Sequence, residues 1–152
     1  MLKHSDGHII ENPSNPATNR GRYPAMTDAG TLVGKTIMIV EDDAALALDL
    51  LTSLTDAEAK VIGPITDLDE AARLVEGARC DAVILDLRVG DRNATSFAHL
   101  LLQRRIPFLV YTGYPDSAYL ELDWAGCRLL SKPADIECVM NVLSELLNWR
   151  GR

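Results

Sequence analysis

The stretch Asp81-Ala82-Val83-Ile84-Leu85-Asp86 restricts the fold more than any other part of the chain. It is an apolar, β-rich run bounded by polar residues. A run without polar alternation reads as a strand buried on both faces, the kind found in parallel sheets with helices on either side. Asp86 stands at its carboxyl end and is followed by the loop Leu87-Arg88-Val89-Gly90-Asp91. Ligands of open α/β sheets bind at that edge, so a carboxylate placed there is a candidate reactive group as well as a strand end.

The flanking sequence supplies the rest of such a sheet. Thr36–Val40 is a strand that runs into the acids Glu41-Asp42-Asp43, after which Leu46, Ala47, Leu50, Leu51 and Leu54 recur at helical spacing. Capping of a helix amino terminus accounts for Asp43 alone. Three consecutive acids exceed what capping needs and repel one another unless a cation shares the site. Ala59–Ile65 is a short strand interrupted by Gly63-Pro64, and a helix follows over 67–78 with Leu68, Ala71, Ala72, Leu74 and Val75 on its apolar face. Beyond the Asp86 loop, Phe97, Leu100, Leu101 and Ile106 form another apolar helical face. Pro107–Thr112 is a fourth strand, about 116–124 a weak helix, and Cys127–Ser131 a fifth strand leading to Lys132-Pro133. Ile136, Val139, Met140, Leu143, Leu146 and Leu147 then mark a long final helix.

The order is (βα)5. Right-handed crossovers make this a flavodoxin-like, doubly wound, five-stranded parallel sheet of strand order 2-1-3-4-5, with its switch point between the first and third strands. That order gathers Glu41, Asp42 and Asp86 at one edge, with Thr112 and Lys132 at the ends of the next two strands. Hard oxygen ligands in this number suit Mg²⁺, and a lysine in the same crevice adds a second positive group. Taken alone, Lys132 reads equally well as an exposed turn residue before proline; its placement beside the acids gives it weight.

At 152 residues, 47% hydrophobic and 24% charged, the chain holds one well-filled domain. Residues 34–150 are its expected extent. Residues 1–33 mix Asn, Pro, Gly, Ser and Thr without apolar period and read as a disordered tail, with Met26 an alternative start near its end. A net charge of −7, from 22 acids against 15 bases, argues against a nucleic-acid partner. Cys80, Cys127 and Cys138 are widely spaced in apolar contexts, suggesting neither a disulfide framework nor a metal site but a reducing, cytoplasmic location. No apolar run approaches the roughly 20 residues of a membrane span. Ala29-Gly30-Thr31-Leu32-Val33-Gly34-Lys35-Thr36 matches a loose phosphate-loop pattern, but such a loop follows a strand and opens a helix, whereas here a strand comes after it.

Taken together, Val40-Glu41-Asp42-Asp43, Ile84-Leu85-Asp86, Tyr111-Thr112-Gly113 and Ser131-Lys132-Pro133 resemble the receiver domain of two-component response regulators, of the CheY-like chemotaxis type, over roughly Lys35 to Trp149. The resemblance implies phosphoryl transfer from a sensor histidine kinase to the carboxylate of Asp86. It implies Mg²⁺ held directly by Asp42 and Asp86 and by the backbone carbonyl of Arg88, with Glu41 acting largely through water. Lys132 would neutralise the phosphoryl charge and Thr112 would donate a hydrogen bond to it. The domain would be a phosphoacceptor, not an enzyme in the usual sense, catalysing only its own phosphorylation and slow dephosphorylation.

The pattern has departures. Leu129 stands where many receivers carry an aromatic residue, so the coupled Thr and ring rotation does not carry over. Val89-Gly90 replaces a common Met-Pro, and Thr112-Gly113-Tyr114 matches in part an α-proteobacterial receiver subfamily. With no output domain after the last helix, a stand-alone regulator acting through contacts with a downstream protein is expected, and a homodimer is left open. The competing reading is a small flavodoxin-like binding module or an aspartate-nucleophile hydrolase. Against it, Arg88 occupies the position where such a hydrolase wants a second aspartate, and acids follow the first strand where a flavodoxin wants a phosphate loop.

Overall fold

A computed structural model describes residues 32–114 and 126–149 of the protein. Five parallel strands form its sheet: β1 (Thr36–Val40), β2 (Lys60–Ile65), β3 (Ala82–Leu85), β6 (Phe108–Thr112) and β7 (Cys127–Ser131). β4 (Arg88–Val89) and β5 (Arg92–Asn93) form a separate antiparallel ribbon. The sheet order is β2-β1-β3-β6-β7, the expected 2-1-3-4-5 once the ribbon is set aside. Helices α1 (Ala44–Asp56), α2 (Leu68–Gly77), α3 (Thr95–Gln103) and α4 (Ile136–Trp149) cover its faces. The expected tail as far as residue 31 and the weak helix at about 116–124 lie outside the described residues.

The continuous apolar runs have the meaning assigned to them. Alternate residues of β1, β3 and β6 face opposite layers: Met38, Val40, Val83, Leu85, Phe108 and Val110 pack with α2 and α3, and Ile37, Ile39, Ala82, Ile84, Leu109 and Tyr111 with α1 and α4. Both layers are buried, so truncating one of the larger of these side chains to alanine costs about 2–5 kcal/mol, transfer and cavity terms together. Leu32, in the stretch read as tail, is buried in the second layer, and the amide of Gly34 donates to Glu58 O at 2.9 Å.

The acids at both helix starts also cap them. The Asp43 side chain accepts from Leu46 N at 3.0 Å, and that of Asp67 from Asp69 N at 2.8 Å. These bonds satisfy amides that an α-helix leaves without partners in its first turn. Gly63-Pro64 sits inside β2, not at a break in it. The register between β1 and β2 shifts there, and at Gly63, with φ 103°, a Cβ would lie 2.7 Å from Ile65 N and 2.8 Å from Ile39 O. Only glycine fits such a position, and Pro64 is tolerated because β2 is an edge strand. The loop after Asp86 is more ordered than its sequence suggested: Gly90 turns the ribbon at φ 61°, and Arg92 ties it to α2 through Asp69 at 3.2 Å.

Candidate functional site

Register decides which groups meet. Val40 pairs with Leu85, so the residues that follow them, Glu41 and Asp86, leave neighbouring strands side by side. Thr112 pairs with Ser131 one step farther along the sheet, which sets Lys132 at the same edge. The amide of Lys132 donates to Thr112 O at 2.8 Å, so the lysine's main chain is anchored to the end of β6.

Glu41 and Asp86 are buried, Lys132 is half-buried, and Asp42 is exposed. The Lys132 ammonium donates to Glu41 Oε2 at 2.8 Å and to Asp86 Oδ2 at 3.0 Å. Each carboxylate uses its other oxygen on a backbone amide: Glu41 Oε1 accepts from Asp43 N at 3.0 Å and Asp86 Oδ1 from Arg88 N at 3.2 Å. Asp42 reaches across the crevice, its Oδ2 accepting from Gly90 N at 2.8 Å. The corner after β1 and the ribbon after β3 are thereby joined at the point where chemistry is expected.

These contacts set the charge balance. Burial pushes the Glu41 carboxyl above its ordinary range, and the neighbouring Asp86 charge adds to this against the bonds from Lys132 and the Asp43 amide. Burial by itself pulls the Lys132 ammonium down, but its hydrogen bonds to Glu41 and Asp86 and their charges outweigh that and hold it above the usual lysine value. One lysine therefore serves two buried acids, with a third acid beside them. One oxygen each of Glu41, Asp42 and Asp86 lies within 4.8 Å of the others. All three are hard oxygen donors, a set that suits Mg²⁺ and whose mutual repulsion a divalent cation relieves.

Of the residues singled out in the sequence, Glu41, Asp42, Asp86 and Lys132 are brought together. Thr112 is fully buried at the end of β6, and its hydroxyl oxygen accepts from Tyr114 N at 3.1 Å. Arg88 reaches Asp86 through its amide, while its guanidinium lies 5.1 Å from the centroid of the Tyr114 ring. Leu129 is half-buried against the α2 and α3 layer. Two contributors were not anticipated. One is the Gly90 amide, which only the ribbon places. The other is Tyr111, 3% exposed, whose hydroxyl accepts from Ala134 N at 3.1 Å and donates to Ala134 O at 3.3 Å. A tyrosine in an otherwise apolar buried strand needs a partner for its hydroxyl, and that need was a readable signal.

Fold and site define a doubly wound α/β domain with an acid and lysine crevice at its topological switch point. No family model matches the chain. The transcriptional regulatory protein PdtaR of Mycobacterium tuberculosis is 30% identical over 113 residues, 72% of this chain. The chain spans about half the length of that relative, 55% of it. The non-phosphorylated HemR receiver domain from Leptospira biflexa superposes with a TM-score of 0.65 at 26% identity, covering 74% of this chain and 94% of that one. A CheY-like response regulator receiver domain from Methanospirillum hungatei gives a TM-score of 0.69 at 20% identity, covering 78% and 97%. The chain is thus similar in fold to CheY-like receiver domains of response regulators, and in sequence to a regulatory protein.

Proposed function

We propose that this receiver takes a phosphoryl group from the phosphohistidine of a sensor histidine kinase onto Asp86, as one step of a phosphorelay. The observation that carries the reading is the setting of Asp86: a strand-end carboxylate held at 3.0 Å by a lysine shared with a second buried acid, at the edge where such sheets bind ligands. In the transfer, a carboxylate oxygen of Asp86 forms a bond to phosphorus as the bond from phosphorus to the histidine nitrogen breaks. The nitrogen keeps that electron pair, and the product is an aspartyl phosphate.

Such a transfer asks for alignment and for neutralisation of spread negative charge more than for covalent help. Lys132 is placed to follow the charge as it moves, since its ammonium already touches Asp86. Thr112 stands at the end of the adjacent strand, and its hydroxyl is the group we assign to the arriving phosphoryl oxygens. Asp42 and Asp86, with the Arg88 carbonyl and Glu41 through water, would hold Mg²⁺. When bound, that ion supplies positive charge to the phosphoryl oxygens. Loss of the phosphoryl group to water, catalysed slowly by the same residues, would reset the domain.

We place the protein in the cytoplasm, with a kinase upstream and a protein target downstream. Cys80, Cys127 and Cys138 are all free thiols, and among the described residues no helix is long and apolar enough to cross a membrane. The hydrolase alternative is not favoured: the Arg88 guanidinium, at the position of its second acid, faces Tyr114. Incubation with acetyl phosphate and Mg²⁺, read by intact mass, tests the proposal. A gain of one phosphoryl group is expected, and its absence would overturn the reading.

A further inference from the structure

The contacts of Tyr111 are not explained by packing alone. Its ring belongs to the buried layer under α4, but its hydroxyl crosses to the turn after β7 and binds both the amide and the carbonyl of Ala134, at 3.1 and 3.3 Å. Two residues before Ala134 is Lys132, whose ammonium lies 5.5 Å from the centroid of the same ring. The turn is therefore held at two points: the Lys132 amide on Thr112 O at 2.8 Å and Ala134 on the Tyr111 hydroxyl. Both holding groups come from the last two residues of β6. The first of these points bears the side chain that divides its hydrogen bonds between Glu41 and Asp86.

From this geometry we infer that Tyr111 is a positioning residue for Lys132: its hydroxyl clamps the turn that carries the lysine, and its ring face attracts the ammonium, fixing the charge against Asp86. A lysine has a long, flexible stem, and at an exposed turn it would sample many rotamers. A ring face within about 6 Å attracts an ammonium and narrows that range. Holding a charged group in place before the reaction removes reorganisation from the chemical step, so the clamp acts on rate more than on donor binding. Burial pushes the Tyr111 phenol up, so it stays protonated and keeps donating to the Ala134 carbonyl at neutral pH.

This inference rests on the proposed phosphoryl transfer, and its test separates the two. Tyr111→Phe removes both bonds to Ala134 and leaves the ring. Phosphorylation by acetyl phosphate at saturating Mg²⁺ would be followed in wild type, Tyr111→Phe, Lys132→Ala and the double variant. We expect Tyr111→Phe to lower the maximal rate about fivefold, the scale of one or two neutral hydrogen bonds, with the donor concentration for half-maximal rate nearly unchanged. In the Lys132→Ala background the same change should have no further effect, because Tyr111 acts through the lysine. Equal losses in both backgrounds, or no loss in either, would overturn the clamp while leaving phosphorylation of the wild type intact. No phosphorylation of the wild type would instead sink the proposed function. A measurement on the unmodified protein needs no variant to fold: side-chain NMR should show the methylene protons next to the Lys132 ammonium shifted upfield by the Tyr111 ring. Ordinary shifts at those protons would contradict the placement.

Discussion

One strand, β3, lies between two aspartates whose hydrogen bonding looks alike and whose surroundings do not. Asp81, before its amino end, accepts from Thr36 N at 2.8 Å and pairs with Arg79 at 3.4 Å; Asp86, after its carboxyl end, accepts from Arg88 N at 3.2 Å and pairs with Lys132 at 3.0 Å. Each carboxylate thus holds one amide and one cation. The difference is in the cation and the company. The Arg79 side chain is 81% exposed, so its pair is a surface contact worth little. Lys132 is 21% exposed and shared with Glu41, and Asp42 stands beside them. Asp81 ties β3 to β1, whereas Asp86 sits in a surplus of negative charge that packing does not require. Such a surplus suits a group of opposite charge, the role the proposed function gives to Mg²⁺.

Exchange of carboxylate for amide at the two ends should break the symmetry most. Asp86→Asn is expected to lower phosphoryl uptake from acetyl phosphate by more than about a hundredfold, since an amide is no nucleophile, and Asp81→Asn to change it by less than about twofold. Comparable losses at both positions would mean that the two ends do not differ in function. The next largest effect concerns the metal. Asp42→Ala should weaken Mg²⁺ binding about tenfold or more, read by titration of amide shifts, because it removes one of three carboxylates without disturbing the buried pair. If affinity is unchanged, the corner after β1 is only a cap.

Stability should run the other way. Asp81→Ala leaves the half-buried Thr36 amide without its partner and is expected to cost about 1–2 kcal/mol in denaturant unfolding, with phosphoryl uptake preserved. The smallest effect is expected at Cys127, on the edge strand away from both aspartates. Burial pushes its thiol up to about 12, and that of Cys80 to about 11. Neither should react at neutral pH with an aromatic disulfide reagent until the protein is unfolded. Rapid labelling of Cys127 in the folded state would show that β7 opens.

The parts of the fold legible in the sequence were those dictated by period and by strand order. Apolar runs such as Ala82–Leu85 and Phe108–Thr112 have one reading when helical stretches separate them, and the crossover rule then fixes which strand ends meet. Glu41, Asp42, Asp86 and Lys132 were found because topology alone brings strand ends together. The Gly90 amide on Asp42 escaped notice because a ribbon with two residues per strand has too few positions to show a period. Tyr111 was missed for a different reason: the need of its hydroxyl for a partner was readable, but that partner is the main chain of Ala134, which no side-chain pattern announces.

The most direct test is to find which carboxylate carries the phosphoryl group. Borohydride reduces an aspartyl phosphate to homoserine, and peptide sequencing by mass spectrometry then locates it. After treatment with acetyl phosphate and Mg²⁺, we expect homoserine at Asp86 and at no other acid. Homoserine at Asp42, or at Asp81 on the far end of the strand, would contradict the assignment.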